Sequence, residues 1–195
     1  MTRESAALLV FALFALSFAG WVLETAQESI VRKKFVNKGF FKGPYVPVQG
    51  IGGICVYLFC LPLKAHPALV FLSGMVVCTV IEYFTALFLD KFFKVKAWDY
   101  TTYPHTKWCH YKGRICLTIS LVFGLLSLFL VYVGGHILMN VANFLGNAIW
   151  PVDGYLLGVF TADAVYSCNR IIKLNKAGIK AGGYSVFSDT SSMGK

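Results

Sequence analysis

Three carboxylates interrupt sequence that is otherwise apolar: Glu24 in "GWVLET", Glu82 in "CTVIEYFTAL" and Asp163 in "FTADAVYSC". Arg32 follows Glu24 by eight residues, Lys91 follows Glu82 by nine, and Arg170 follows Asp163 by seven. On helices rising 1.5 Å per residue, all three acids then lie roughly 10–14 Å short of the first cation on their own segment. A carboxylate turned to lipid at mid-depth costs at least ~2.5–3.5 kcal/mol. The three are therefore expected to face inward, toward a water-filled vestibule or a partner. The chemistry open to them is capture of a cation or hydrogen-bond donor, proton exchange between paired acids, and ion pairing. Arg114, directly before "ICLTIS", carries the fork-shaped cation that matches a carboxylate. Glu24, Glu82, Asp163 and Arg114 are thus a candidate substrate- or ion-binding set. The structural alternative, compatible with it, is an ion pair between Arg114 and Glu24 or Glu82.

Long apolar elements must position these groups. Of 195 residues, 57% are hydrophobic, 16% aromatic and only 14% charged, whereas soluble chains average about 45–50% apolar and 25% charged. Spanning a bilayer takes about 20 predominantly apolar residues. The sequence predicts an all-α integral membrane protein with five transmembrane helices, over residues 6–26, 48–63, 67–89, 115–133 and 152–168. The alternation typical of outer-membrane barrels is absent. Residues 1–170 form a single transmembrane domain, and 171–195, rich in Gly and Ser, form a disordered cytoplasmic tail.

Charge placement orients the spans. Arg32, Lys33, Lys34, Lys38 and Lys42 fall between spans one and two. Lys91, Lys94, Lys96, Lys107, Lys112 and Arg114 fall between three and four, and the tail holds Arg170, Lys173, Lys176, Lys180 and Lys195. Only Arg3 and Lys64 of the 18 Lys and Arg lie on the opposite side. The positive-inside rule then puts the N-terminus outside and the C-terminus in the cytoplasm of a multi-pass cell-membrane protein. The net charge of +9 is clustered beside spans, which suits the anionic inner leaflet and not nucleic acid. A cleaved signal peptide is disfavoured, because the first apolar stretch is long and the heavier positive charge follows it.

Between spans four and five, Ile137, Leu138, Val141, Phe144, Leu145 and Ala148 recur at helical spacing, opposite His136, Asn140, Asn143 and Asn147. This pattern predicts an amphipathic helix lying on the outer surface, or else a lid across the bundle. A shift of 58 residues aligns Glu24 with Glu82, Lys33 with Lys91, Phe35 with Phe93 and Lys38 with Lys96. Two intervening spans would make this a parallel two-helix repeat. The glycines at 43, 50, 52 and 53 serve close helix packing, with a backbone anion nest at Gly43 as the sharper alternative.

The six cysteines show no disulfide framework and are expected to be reduced. His105, Cys109, His110 and Cys116 lack the spacing of a standard zinc site, so no metal or other cofactor is expected. No Walker A, HExxH or GxSxG element is present.

Three blocks, "GWVLET…KKFVNKGFFKGPYVPVQGIG", "CTVIEYFTALFLDKFFKVKAWDYTTYP" and "GRICL…FG", resemble the bacterial ABC-transporter permease family, also called ABC-transporter type IV, over about residues 15–135. The resemblance implies a small multi-helix membrane protein. Its motif positions would be Gly20, Trp21, Glu24, Asn37, Gly39, Gly43, Pro44, Pro47, Gly50, Glu82, Trp98, Asp99, Tyr100, Gly113 and Arg114. Two departures stand out: Gln49 where the family pattern has Tyr, and the basic approach "KWCHYK" to Gly113. The expected function is a small transport component, a permease subunit. Its expected partners are anionic lipids, a cytoplasmic ATPase subunit and a second copy of itself. The alternative is a membrane-embedded lipid-headgroup binder or enzyme using the cytoplasmic-side carboxylates and Arg114. A scaffold or regulator without substrate is a third reading.

Overall fold

The computed structural model describes residues 3–101, 106 and 108–176. It is helical almost throughout: α1 (Arg3–Arg32), α2 (Pro47–Cys60, prolonged by a 3-10 turn to Leu63), α3 (Pro67–Phe88, prolonged by a π turn to Phe93), α4 (Leu117–Phe129), α5 (Gly135–Leu145) and α6 (Ile149–Lys176). The only described strands are β1 (His110–Tyr111) and β2 (Ile115–Cys116), an antiparallel hairpin leading into α4. Prolines open α2 and α3, where the missing N–H costs nothing and the fixed φ favours the first turn.

Helix α1 packs chiefly on α2, and α3 on α4, while α2 joins the two pairs and α6 lies against α1. Small residues make these contacts close. A Cβ on Gly50 would collide with Ser17 Oγ and the Leu13 carbonyl, and one on Gly74 with the Ser127 side chain. Such close approach is what drives helix association where the surrounding lipid is as apolar as leucine. Val56, Cys60, Val70 and Val131 form the core between α2, α3 and the turn after α4. A second cluster joins Val95 to Ile171 of α6, with Phe40 and Phe93 against it. The outer faces remain apolar, with Phe59, Leu72, Phe84 and Leu125 all exposed. Apolar exposure on that scale needs a lipid or protein cover.

Three helical runs are long and apolar enough to cross a membrane: Ser5–Arg32, Pro67–Phe93 and Leu117–Lys176. Helix α2 with its 3-10 turn, Pro47–Leu63, is apolar but shorter. The fourth and fifth expected spans both fall in the 60-residue third run, where Gly146, at φ 50°, marks a turn between α5 and α6.

Two sequence expectations need revision. The amphipathic segment is helical as expected, α5, but it is continuous with α4: Gly134 and Gly135 are both helical, so α4 runs through a π turn into α5. Its Ile137, Leu138 and Val141 line a groove shared with Phe11, Ala15 and Leu16 of α1. The fourth expected span ended at 133, and the helix runs on beyond it. Helix α6 also outruns the fifth expected span and includes residues 171–176 of the expected tail, with Ile171 fully buried. The rest of that tail lies outside the described residues.

The two helix pairs share local features. Both α1 and the α3 extension end at a lysine in the left-handed region, Lys33 and Lys94, each at φ 54°. A buried valine follows each, Val36 and Val95, both 2% exposed.

Candidate functional site

A cavity of about 380 Å³ opens between α1, α2, α3 and α4, beneath the segment that follows α3. Its polar lining includes Glu24, Glu28, Lys38, Gln49, Glu82 and Tyr100, with Gln27 and Thr106 beside them. Three carboxylates thus face one lysine in a largely apolar shell.

Each acid is held differently. Glu24 Oε1 accepts a hydrogen bond from Gln49 Nε2 at 2.7 Å, so the first turn of α2 fixes the α1 carboxylate. Glu82, 7% exposed on α3, accepts from the Tyr100 hydroxyl through Oε1 at 2.6 Å. Its Oε2 is buried and has no hydrogen-bond partner among the described residues. Glu28, one turn beyond Glu24 and 4% exposed, is ion-paired to Arg32 and lies 3.7 Å from Lys38 Nζ. The ion pairs of the site fall on Glu28, the hydrogen bonds to Glu24 and Glu82 come from neutral side chains, and Lys38 also acts electrostatically on Glu24.

Tyr100 reaches Glu82 because its own segment is anchored. The Tyr100 amide donates to the Gly113 carbonyl at 3.0 Å, and its carbonyl accepts from Thr106 Oγ1 at 2.7 Å. Trp98 Nε1 donates to the Arg114 carbonyl at 2.8 Å. Gly113 adopts φ 69°, and a Cβ there would come within 2.6 Å of Asp99 Oδ1. Only glycine suits that conformation cheaply. Burial pushes the Asp99 carboxyl up, but the Thr101 hydroxyl and amide and nearby Lys96 outweigh it and hold Asp99 below the usual carboxylate range.

Arg114 does not meet Glu24 or Glu82. Its Nη2 pairs with Asp90 Oδ2 at 2.7 Å in a half-exposed bridge. The π turn carries Asp90 to the hairpin rim, where this pair forms without burying two charges.

Asp163 is likewise placed apart from the cavity. It accepts from the Gly43 amide at 2.7 Å, the Lys42 amide at 3.2 Å and Ser167 Oγ at 2.8 Å, and from the Tyr45 hydroxyl. The backbone nest at Gly43 thus holds the chain's own carboxylate, which ties α6 to the α1–α2 loop. Burial raises the cost of that charge, and four donors answer it.

The other motif positions shape the scaffold. Trp21 Nε1 donates to Asn37 Oδ1 at 2.6 Å, and Asn37 Nδ2 donates to the Lys42 carbonyl at 3.2 Å. Gly39 turns the loop at φ 134°. Pro44 precedes Tyr45, Pro47 starts α2, and Gly50 lets α2 approach Ser17. Of the four histidines and cysteines weighed and set aside as a zinc site, His105 lies outside the described residues. His110 Nδ1 accepts from the Gly113 amide, and no group of three or more metal-ligating side chains occurs among the described residues.

Sequence reasoning missed Glu28, Gln49 and Tyr100 as the groups that share the site with Glu24 and Glu82. Glu28 lies one helical turn from Glu24, on the same face, so its placement was available from the spacing alone. Asp153 was also passed over. It is 4% exposed, and neither carboxylate oxygen has a hydrogen-bond partner among the described residues.

A family model described as "Putative ABC-transporter type IV" matches residues 11–168. No curated protein and no solved structure matches the chain.

Proposed function

Because the chain belongs to the ABC-transporter type IV family, we propose that it is a membrane transport component whose Glu24–Glu82 cavity binds a cation or a cationic group of its cargo. One observation carries this: among the described residues Glu82 Oε2 is buried and has no hydrogen-bond partner, in a cavity that a second acid, Glu24, also lines. A buried acceptor left without a partner costs about 1–3 kcal/mol, more when charged. A bound cation, proton or ammonium group removes that cost and supplies the missing charge. Gln49 and Tyr100 orient one oxygen of each acid and leave the others for the ligand.

The basic residues after α1 and α3, which include Lys33, Lys34, Lys91 and Lys94, lie on the cytoplasmic face in this account. They meet anionic headgroups there and offer a docking surface to an ATPase subunit, as the family's transporter assignment suggests. Asp163 and Arg114 act as scaffold: the first fastens α6, and the second fastens the hairpin to α3.

The test is a thermal-shift screen of the full chain in nanodiscs against alkali and alkaline-earth cations and small primary amines. At least one ligand should stabilise the wild type, and Glu82→Gln should lose that response while melting normally without ligand. A response retained in full by Glu82→Gln would refute the assignment.

A further inference from the structure

Two thiols meet at the base of the hairpin that carries Tyr100. The ladder pairs His110 with Cys116 and Tyr111 with Ile115, and the Leu117 amide donates to the Cys109 carbonyl at 3.1 Å. The backbones of Cys109 and Cys116 are thereby held side by side, with their Sγ atoms 2.8 Å apart. A disulfide needs about 2.05 Å between sulfurs, so little movement separates this contact from a bond. The two thiols differ in access: Cys116 is 1% exposed, whereas Cys109 is partly exposed and also meets Thr118 Oγ1 at 3.3 Å. An accessible sulfur beside a buried one is the arrangement of an attacking and a resolving thiol.

We propose that Cys109 and Cys116 form a redox-active dithiol that closes to a disulfide by exchange with a low-molecular-weight disulfide. The Cys109 thiolate attacks one sulfur of R–S–S–R, forming a mixed disulfide and releasing RS⁻. Cys116 passes its proton to that thiolate and attacks Cys109 Sγ, expelling the second RS⁻, which takes the proton first lost by Cys109. Two electrons pass from the dithiol to the small disulfide, leaving one internal disulfide and two RSH. The Cys116 contact, with help from the Thr118 hydroxyl, holds the Cys109 thiol down to about 7, so much of it is thiolate at neutral pH. Because Gly113 and Arg114 hold Tyr100 and Trp98, the bond would close beneath the arm that reaches Glu82.

The full chain in nanodiscs is reduced, equilibrated with mixtures of oxidised and reduced glutathione, quenched by alkylation and mapped by peptide mass. The expected result is a Cys109–Cys116 disulfide that forms with a single midpoint in the glutathione ratio. Cys116→Ser should stop at a glutathione adduct on Cys109. A wild-type chain that accumulates the Cys109 adduct without closing, reacts at another cysteine pair, or stays fully reduced would overturn the proposal. The wild-type map decides the matter alone if Cys116→Ser does not fold.

Discussion

Tyr100 donates its hydroxyl to Glu82 Oε1 at 2.6 Å from eighteen residues further along the chain. The contact couples a buried acid on α3 to an irregular segment that the β-hairpin stabilises. Tyr100→Phe removes the one hydrogen bond to Glu82 and leaves both oxygens without a partner. The expected loss is about 1–3 kcal/mol, from an unsatisfied buried acceptor. Adding Glu82→Leu should recover part of it, since replacing both members of a buried polar pair costs less than removing one. Thermal unfolding of the two singles and the double gives the coupling. Additive effects would mean the bond does not form.

Asp163 should behave as an anchor. Asp163→Ala orphans the Gly43 amide and the hydroxyl of buried Tyr45, and an unsatisfied buried group costs about 1–3 kcal/mol. The expected variant melts lower and exposes α6 to protease, yet keeps its cation response. Wild-type stability would contradict the anchoring role.

Helix packing at Gly74 gives a third prediction. Gly74→Ala places a methyl against Ser127, and overpacking of this kind typically costs 1–3 kcal/mol. Ser127→Gly in the same chain should relieve much of the loss, as read by melting temperature. No relief would mean that α3 and α4 do not touch there.

Cys109 should alkylate with a pH profile centred near 7, where an ordinary thiol would be centred near 8.5. The iodoacetamide rate should climb through that range and level off above it. In Cys116→Ala, which has no donor at that position, the profile should move up, because the main stabilising contact to the thiolate is gone. A profile near the ordinary value in the wild type would remove the support the thiolate lends to dithiol exchange.

Orientation is open to labelling. In a background without native cysteines, single cysteines at exposed Lys34 and Lys91 should react only from the cytoplasm, and one at exposed Asn143 only from outside. The reverse pattern would invert every depth assigned to the acids.

The helical class with its long apolar helices was legible in the sequence, because composition follows from one-dimensional counting, and Glu24 and Glu82 stood out as acids within apolar runs before one cavity joined them. The partners were not. Arg114 was the obvious cation for Glu82, but Asp90 intercepts it through a π turn that no periodicity announces. Tyr100 was visible as a motif position, yet its reach to Glu82 depends on a hairpin of two-residue strands and a left-handed Gly113. Asp163 matched the other acids in depth, but depth carries no information about which way a helix faces. Four donors turn it toward the Gly43 loop. Helix α5 shows a different lapse: the expected span ended at 133, and the helix continues through Gly134 and Gly135 without a break.

Calorimetric titration of the stabilising cation into nanodisc-embedded wild type, Glu24→Gln and Glu82→Gln tests the central claim most directly. The wild type should bind one ligand per chain, and each Gln variant should fold normally and bind at least tenfold more weakly, the equivalent of about 1.4 kcal/mol. Equal affinity in all three chains would show that the Glu24–Glu82 cavity is not the binding site.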